Sequence, residues 1–150
     1  MKKHTEILKE NVKNFIHQGK QFPEERALAL LTVHRIGELT GTGRLDFGGS
    51  EYTEAEIHWK DPVKMKKDDQ YGWWHLTPGS YLVEFNETVG TPAAARFYLQ
   101  SWEKAALNAV TIPFCVIDSP RAPLLSVLYI GGEGVDIKEN ARLAELGVLD

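Results

Sequence analysis

An aspartate directly follows a strongly apolar stretch in the second half of the chain. Asp118 comes after residues 114–117 and opens a segment that also contains Ser119, Arg121 and two prolines. A carboxylate at the end of a buried strand, on a loop that prolines make rigid, is well placed to bind a water or a ribose hydroxyl. An aspartate in such a loop also commonly accepts a hydrogen bond from nearby backbone in an Asx turn. The residue types alone leave both interpretations open.

The spacing of histidine and cysteine excludes zinc chemistry. The five histidines show no HxH, HxxxH or HxxC spacing, and Cys115 is the single cysteine. A zinc deaminase needs a His or Cys together with a Cys-x-x-Cys pair to hold its metal, so no zinc is expected. We expect the histidines at the surface or hydrogen-bonded in the core. Cys115 stands between Phe114 and Val116, and apolar surroundings raise the pKa of a thiol, which argues against a nucleophile.

The absence of three glycine and serine motifs argues against three further enzyme classes. Residues 41–50 are rich in glycine but lack the strand–GxGxxG–helix context that binds a pyrophosphate. The sequence contains neither GxxxxGK[ST] nor GxSxG. Dinucleotide-binding, P-loop and α/β-hydrolase chemistry are therefore not expected.

Two adjacent tryptophans are the most prominent aromatic feature. Trp73 and Trp74 lie near Tyr71, with three lysines shortly upstream. Aromatic side chains interleaved with basic ones can stack nucleobases. Two aspartates at residues 68–69 largely neutralise those lysines, so we interpret the tryptophan pair as part of a core or a subunit interface.

Length and composition limit the number of domains and the kinds of partner that this protein can have. The 150 residues carry 17 Lys+Arg and 21 Asp+Glu, a net charge of −4. This length suits one domain whose core needs no disulfide or metal. A mildly acidic chain has no bulk attraction to nucleic acid or anionic lipid. No apolar stretch is long enough to span a membrane, and charges interrupt the N-terminal segment where a signal peptide needs an apolar run. We expect a cytoplasmic protein with neither nucleic acid nor membrane as a partner.

Apolar periodicity predicts helices first and strands later. Leu8, Val12, Phe15 and Ile16 form a helical stripe, and a second helix is expected from Pro23 to the glycines after residue 40. The pattern predicts strands at residues 81–85, 114–117, 124–130, 135–137 and 141–146. We therefore predict a single α+β domain over residues 1–150 that is mostly β. It has a helical N-terminal extension over residues 1–40 and a β body over residues 41–150.

Four segments, in order along residues 40–147, resemble motifs of the dCTP deaminase and dUTPase superfamily. Residues 75–92, HLTPGSYLVEFNETVGTP, are similar to the family pattern L-x-P-G-x-[FY]-L-x-x-x-x-E-x-[VI]-x-x-P. Residues 43–49, with Asp46 and Gly49, resemble the stretch [SG]-x-D-[LF]-x-x-G. Residues 116–132 resemble the dUTPase segment whose aspartate orients the attacking water, and residues 137–146 resemble the family's last strand.

The resemblance implies a dUTPase-like β-barrel or β-clip body that assembles as a homotrimer, with nucleotide sites between subunits. Relatives either deaminate dCTP without zinc or hydrolyse dUTP to dUMP and pyrophosphate. The implied substrate is a pyrimidine deoxynucleotide whose phosphates carry Mg²⁺, so no residue of the chain is expected to ligate a metal. The implied catalytic residue is Asp118. The implied substrate-binding residues are Ser101, Gln100, Arg121, Arg96 and Ser119.

The chain departs from the family where phosphate is bound. Residues 99–102 read Leu-Gln-Ser-Trp in place of an Arg-Ser-Ser run, and residues 124–130 lack the carboxylate of the deaminases. A guanidinium binds phosphate through two hydrogen bonds, whereas an amide carries no charge to offset a triphosphate. Arg121 or Arg96 would have to replace the missing arginine. Two functions therefore remain open: a pyrimidine deoxynucleotide-processing hydrolase, and a non-catalytic trimeric protein for nucleotide binding or assembly.

Overall fold

The computed structural model describes residues 3–24, 26–90 and 95–149. These residues are 46% strand and 11% helix, so the predicted mostly β fold is confirmed. No described helix is long and apolar enough to cross a membrane. The helices are α1 (His4–Asn11), α2 (Gln18–Gln21) and α3 (Glu103–Ala106). The strands are β1 (Val12–Lys13), β2 (Leu28–Thr40), β3 (Glu56–Trp59), β4 (Trp73–Leu76), β5 (Gly79–Phe85), β6 (Thr88–Val89), β7 (Arg96–Ser101), β8 (Val110–Thr111), β9 (Cys115–Ile117), β10 (Leu125–Ile130), β11 (Val135–Lys138) and β12 (Arg142–Leu149).

One large antiparallel sheet dominates the molecule. Its strand order is β8-β10-β5-β2-β12-β7-β9, with β3 paired to β2 as a branch. The two terminal strands, β8 and β9, are separated in sequence only by residues 112–114. A link of that length spans at most about 14 Å, so the sheet must curl until its two ends lie near each other. Two smaller sheets pair β1 with β6 and β4 with β11.

The core fills the inside of this curled sheet. Tyr81, Val83 and Phe85 of β5 are buried at alternate positions, as their period of two predicts. Leu8 of α1 is fully buried against the same core, which anchors the N-terminal helix to the sheet. Trp74 is buried as well, and its Nε1 donates to the Lys60 carbonyl at 2.8 Å. The core interpretation of the tryptophan pair thus holds for Trp74.

The helix predicted from Pro23 to residue 40 is wrong. Residues 28–40 form β2, the longest strand described, and β2 pairs with both β5 and β12. Six consecutive residues, 28–33, are buried because neighbouring elements cover both faces of this strand. A short continuous apolar run fits a buried strand as well as a helix, and Thr32, Val33 and Ile36 are β-branched. The helical extension therefore reduces to α1 and α2, and β2 belongs to the body of the fold.

Two other predictions concern residues 114–117 and the family-like segment 75–92. Residues 114–117 were expected to be a buried strand, but β9 is an edge strand in which only Ile117 is buried. Phe114 and Val116 are exposed. Pro92, the last residue of the family-like segment 75–92, lies outside the described residues.

Candidate functional site

Asp118 lies at the end of the edge strand β9. In the ladder between β7 and β9, Phe97 is opposite Ile117 and Leu99 is opposite Cys115. The same register places Arg96 opposite Asp118, one position beyond the last paired residues. Asp118 and Arg96 are both exposed. Within the described residues the Asp118 carboxylate makes no hydrogen bond or ion pair, so the Asx-turn interpretation is not supported.

The loop after Asp118 brings a second arginine to the same edge. The backbone of Arg121 forms two hydrogen bonds with Val89, of 2.8 and 2.9 Å, which fix the loop against β6. Partial burial raises the pKa of the Cys115 thiol, and the positive charge of Arg121 opposes that rise. Ser119 is exposed beside Asp118. Asp118 and Ser119 thus lie at the end of β9, with Arg96 opposite in the strand register and Arg121 in the loop that follows.

The other two predicted substrate ligands lie elsewhere and are already engaged. The N–H of Ile112 donates to Ser101 Oγ at 2.7 Å, and this hydroxyl in turn donates to the Ile112 carbonyl at 3.3 Å. Gln100 Nε2 donates to Glu145 Oε1, while Glu145 Oε2 lies 3.4 Å from Arg26 Nη1. Both residues are at the far end of β7 from Arg96, on the order of 15 Å along the strand. They cannot join Asp118 around one phosphate group within a single chain.

A buried carboxylate, Glu87, lies just before β6 and organises the contacts of the N-terminal segment with the sheet. Its side chain is fully buried and accepts three hydrogen bonds, from Thr32 N at 2.7 Å, Thr32 Oγ1 at 2.6 Å and Gln21 Nε2 at 2.8 Å. Burial raises the pKa of Glu87, and the hydrogen bonds from Thr32 and Gln21 partly oppose that rise. Because every donor is satisfied, this arrangement ties α2, β2 and the end of β5 together.

Gln21 extends the Glu87 network into the N-terminal segment. Its Oε1 accepts hydrogen bonds from the backbone N–H groups of Ile16 and His17, at 2.8 and 2.9 Å. Its Nε2 also donates to the Leu30 carbonyl at 2.9 Å. Sequence reasoning did not identify Gln21 or Thr32. The available signal was Thr32 itself, a polar residue inside the apolar run 28–33, which needs a buried partner.

The predicted site is open to solvent on this chain. Three cavities formed by described residues, of about 300, 440 and 460 Å³, have none of the six predicted site residues in their walls. No group of three or more His, Cys, Asp or Glu in the described part of the chain could hold a metal ion. A ligand at Asp118 would therefore meet a carboxylate on an exposed edge of the sheet.

Comparison with solved structures defines the class of fold. The crystal structure of 2′-deoxycytidine 5′-triphosphate deaminase from Agrobacterium tumefaciens superposes with a TM-score of 0.66. The match covers 97% of this chain and 45% of that one, at 12% sequence identity. The curled sheet of this chain is therefore the β-clip fold of dUTPase-like proteins.

Comparison with curated proteins adds a relationship in sequence. A probable deoxyuridine 5′-triphosphate nucleotidohydrolase of Methanosarcina mazei is 30% identical over 119 residues, and one of Methanococcoides burtonii is 28% identical over 119 residues. Each alignment covers 77% of this chain and 66% of the relative, so the chain spans just under two thirds of their length. A comparison with profiles of known protein families finds no match. The relatives in sequence and the neighbour in structure together support membership of a dUTPase- and dCTP deaminase-like superfamily, in agreement with the resemblance found in the sequence.

Proposed function

We propose that this protein hydrolyses dUTP to dUMP and pyrophosphate, with Asp118 as the general base. The observation that carries this proposal is the exposed Asp118 carboxylate, which has no partner in the described chain, with Arg96 opposite it in the strand register and Arg121 three residues later in the same loop. The names of the curated relatives favour dUTP over dCTP. Strand β10 favours the same choice, because residues 125–130 contain no carboxylate that could serve a deamination.

The chemistry requires one proton acceptor and several cations. Asp118 would accept a proton from a water while the water oxygen attacks phosphorus, and the bond between the α- and β-phosphates would break. The released pyrophosphate carries several negative charges. Guanidinium groups bind it well because they form paired hydrogen bonds with phosphate oxygens. Mg²⁺ would arrive bound to the substrate phosphates and neutralise part of their charge. Arg96 and Arg121 would supply the remaining positive charge.

The open position of Asp118 supports a site shared between copies of the chain. Asp118 directly follows an edge strand, Val116 exposes apolar surface on that strand, and Phe114 does so just before it. Exposed apolar edge strands are covered in most proteins, commonly by another chain. We therefore propose a homotrimer in which a second copy completes the walls of the nucleotide site. Light scattering of the purified protein should give a trimeric mass, and a monodisperse monomer would contradict this assembly.

A second function is favoured by the internal contacts of Gln100 and Ser101. Both side chains use their polar atoms within the protein, and neither supplies the charge of the family arginine. A chain without those ligands could bind a nucleotide, or support an assembly, without turning the nucleotide over. Under this alternative the trimer persists and catalysis does not.

Product analysis separates the two functions. The purified chain is incubated with Mg²⁺ and each of dUTP, dCTP and the other deoxynucleoside triphosphates, and the products are resolved by chromatography. The proposal predicts dUMP and pyrophosphate from dUTP. Binding of a nucleotide by calorimetry without turnover would establish the non-catalytic alternative. Absence of both turnover and binding would contradict hydrolysis and nucleotide binding, and a trimeric mass would then leave assembly as the function.

A further inference from the structure

A hairpin projects into solvent from the sheet between β2 and β3. We call residues 41–55 the arm, and all of them except the last are exposed. Two backbone hydrogen bonds join Arg44 and Thr53, at 2.8 and 3.0 Å. Near the tip, the Asp46 carboxylate accepts a hydrogen bond from the N–H of Gly49 at 3.0 Å. The arm therefore has a defined shape although its side chains are not packed into the core.

The arm and its base form an uncovered apolar surface. Leu45 is 89% exposed and Phe47 is fully exposed, and the two lie two positions apart, as residues on one side of an extended segment do. A cavity of about 460 Å³ opens at the base of the arm, where Leu39, Ile57 and Leu125 line its walls. Exposed apolar patches of this kind mark interaction sites, and aromatic side chains contribute most to such interfaces.

The charge of the arm restricts what can cover it. Residues 43–56 contain four carboxylates and one cation, a net charge of −3. The cation, Arg44, is already paired with Glu51 at 3.3 Å. Glu54 lies in the wall of the cavity, and Glu56 forms no ion pair with any described residue. An occupant that complements the arm must therefore combine apolar side chains with positive charge.

The chain itself contains a segment with this chemistry. Residues 63–67, Val-Lys-Met-Lys-Lys, are all exposed, and we call them the lysine segment. Val63 and Met65 are 57% and 66% exposed and lie two positions apart. The three lysines form no ion pair in the part of the chain that the structure describes. The carboxylate of Asp69 instead accepts a hydrogen bond from the backbone N–H of Lys66 at 2.8 Å.

The arm and the lysine segment begin at opposite ends of one strand pair. In the ladder between β2 and β3, Thr40 is opposite Glu56 and Gly37 is opposite Trp59. The arm continues beyond the first pair, and the chain leaves the second pair toward the lysine segment. The two ends of this ladder are about 10 Å apart, and the arm extends further in its own direction. A second copy of the chain is therefore needed to bring the two surfaces together.

We propose that the arm of one copy docks onto the lysine segment of a second copy. Met65, an unbranched side chain that fills irregular gaps, would enter the cavity beside Leu45, and the lysines would face the carboxylates of the arm. Each copy would give its arm to one neighbour and its lysine segment to another, which is a head-to-tail contact. Because β3 is attached to β2, three strands away from β9, this contact does not use Asp118 or rest on the proposed hydrolysis.

Cross-linking between co-expressed variants tests the contact directly. In a Cys115→Ser background, which has no other thiol, one variant carries Phe47→Cys and a second carries Met65→Cys. A short bismaleimide should join the two variants into a covalent dimer, whereas each variant alone should remain a single chain on a denaturing gel. A chain with both substitutions should form covalent species larger than a dimer. Phe47→Cys co-expressed with Glu133→Cys, at an exposed turn, is the matched control and should give no cross-link.

Charge reversal tests the electrostatic part of the contact. Lys66→Glu with Lys67→Glu should lower the yield of cross-linked dimer severalfold, because like charges then face each other. Lys13→Glu with Lys20→Glu makes the same change of net charge at exposed lysines elsewhere and should leave the yield unchanged. The proposal is overturned if the two cysteine variants do not cross-link, if Phe47→Cys cross-links with itself, or if both charge variants give equal yields.

Discussion

Glu87 and Asp118 are two carboxylates in similar sequence settings with opposite environments. Each comes within two residues of the end of a strand, Glu87 after β5 and Asp118 after β9. Glu87 is fully buried and accepts three hydrogen bonds, whereas Asp118 is exposed and has no partner in the described chain. The difference arises from sheet position, because β5 lies inside the sheet and β9 forms its edge. A buried, satisfied carboxylate stabilises the fold, and an exposed, unsatisfied one is available for chemistry.

The largest expected effect is on stability at Glu87. Glu87→Ala leaves three buried donors of Thr32 and Gln21 without an acceptor, so the free energy of unfolding should fall by about 3 kcal/mol or more. Chemical denaturation measures this change. Glu133→Ala, at an exposed turn, is the control and should change the free energy by less than about 0.5 kcal/mol. A loss below about 1 kcal/mol at Glu87 would mean that the network does not organise the fold.

A smaller effect is expected at Ser101. Ser101→Ala removes the acceptor for the buried N–H of Ile112, and the free energy of unfolding should fall by about 1–2 kcal/mol. The affinity for nucleotide, measured by calorimetry, should stay unchanged if the hydroxyl serves the fold. Unchanged stability with weaker nucleotide binding would instead make Ser101 a substrate ligand, as the sequence resemblance implies.

The pH dependence of stability should distinguish Glu87 from an exposed carboxylate. Burial raises the pKa of Glu87 above its ordinary value of 4.5, so between 4.5 and the raised pKa the folded state binds more protons than the unfolded state. The contribution of Glu87 to stability is therefore complete below pH 4.5 and is lost as the pH rises through the folded-state pKa. The advantage of the unaltered chain over Glu87→Gln should shrink across that window. A constant or growing advantage would show that the pKa is not raised.

The smallest stability effect is expected at Asp118. Asp118→Asn removes no contact within the described residues, so denaturation should show a change within about 0.5 kcal/mol. A loss above about 1 kcal/mol would show that the carboxylate has a structural partner and would remove its contrast with Glu87.

Sequence patterns correctly predicted those strands in which buried and exposed residues alternate. The alternation of Tyr81, Val83 and Phe85 identified β5 because burial on one face follows the period of a strand. The run at residues 28–33 was misread because β2 is buried on both faces and so lacks that alternation. The family motifs also identified the superfamily correctly.

The contacts that define the site could not be predicted from the sequence because their partners are distant. Thr32 and Gln21 lie 55 and 66 residues from Glu87, and no short pattern links them. The contact between Gln100 and Glu145 likewise joins residues 45 positions apart. Placing Arg96 opposite Asp118 required the register of β7 and β9, which no local pattern predicts.

The rate of dUTP hydrolysis by Asp118→Asn tests the central claim most directly. It is measured with Mg²⁺ beside the unaltered chain and beside Asp61→Asn, which changes an exposed aspartate without a partner in the described residues. The account predicts that Asp118→Asn slows hydrolysis by about 100-fold or more, as loss of a general base does, while Asp61→Asn keeps the full rate. Hydrolysis by Asp118→Asn at the rate of the unaltered chain would contradict it.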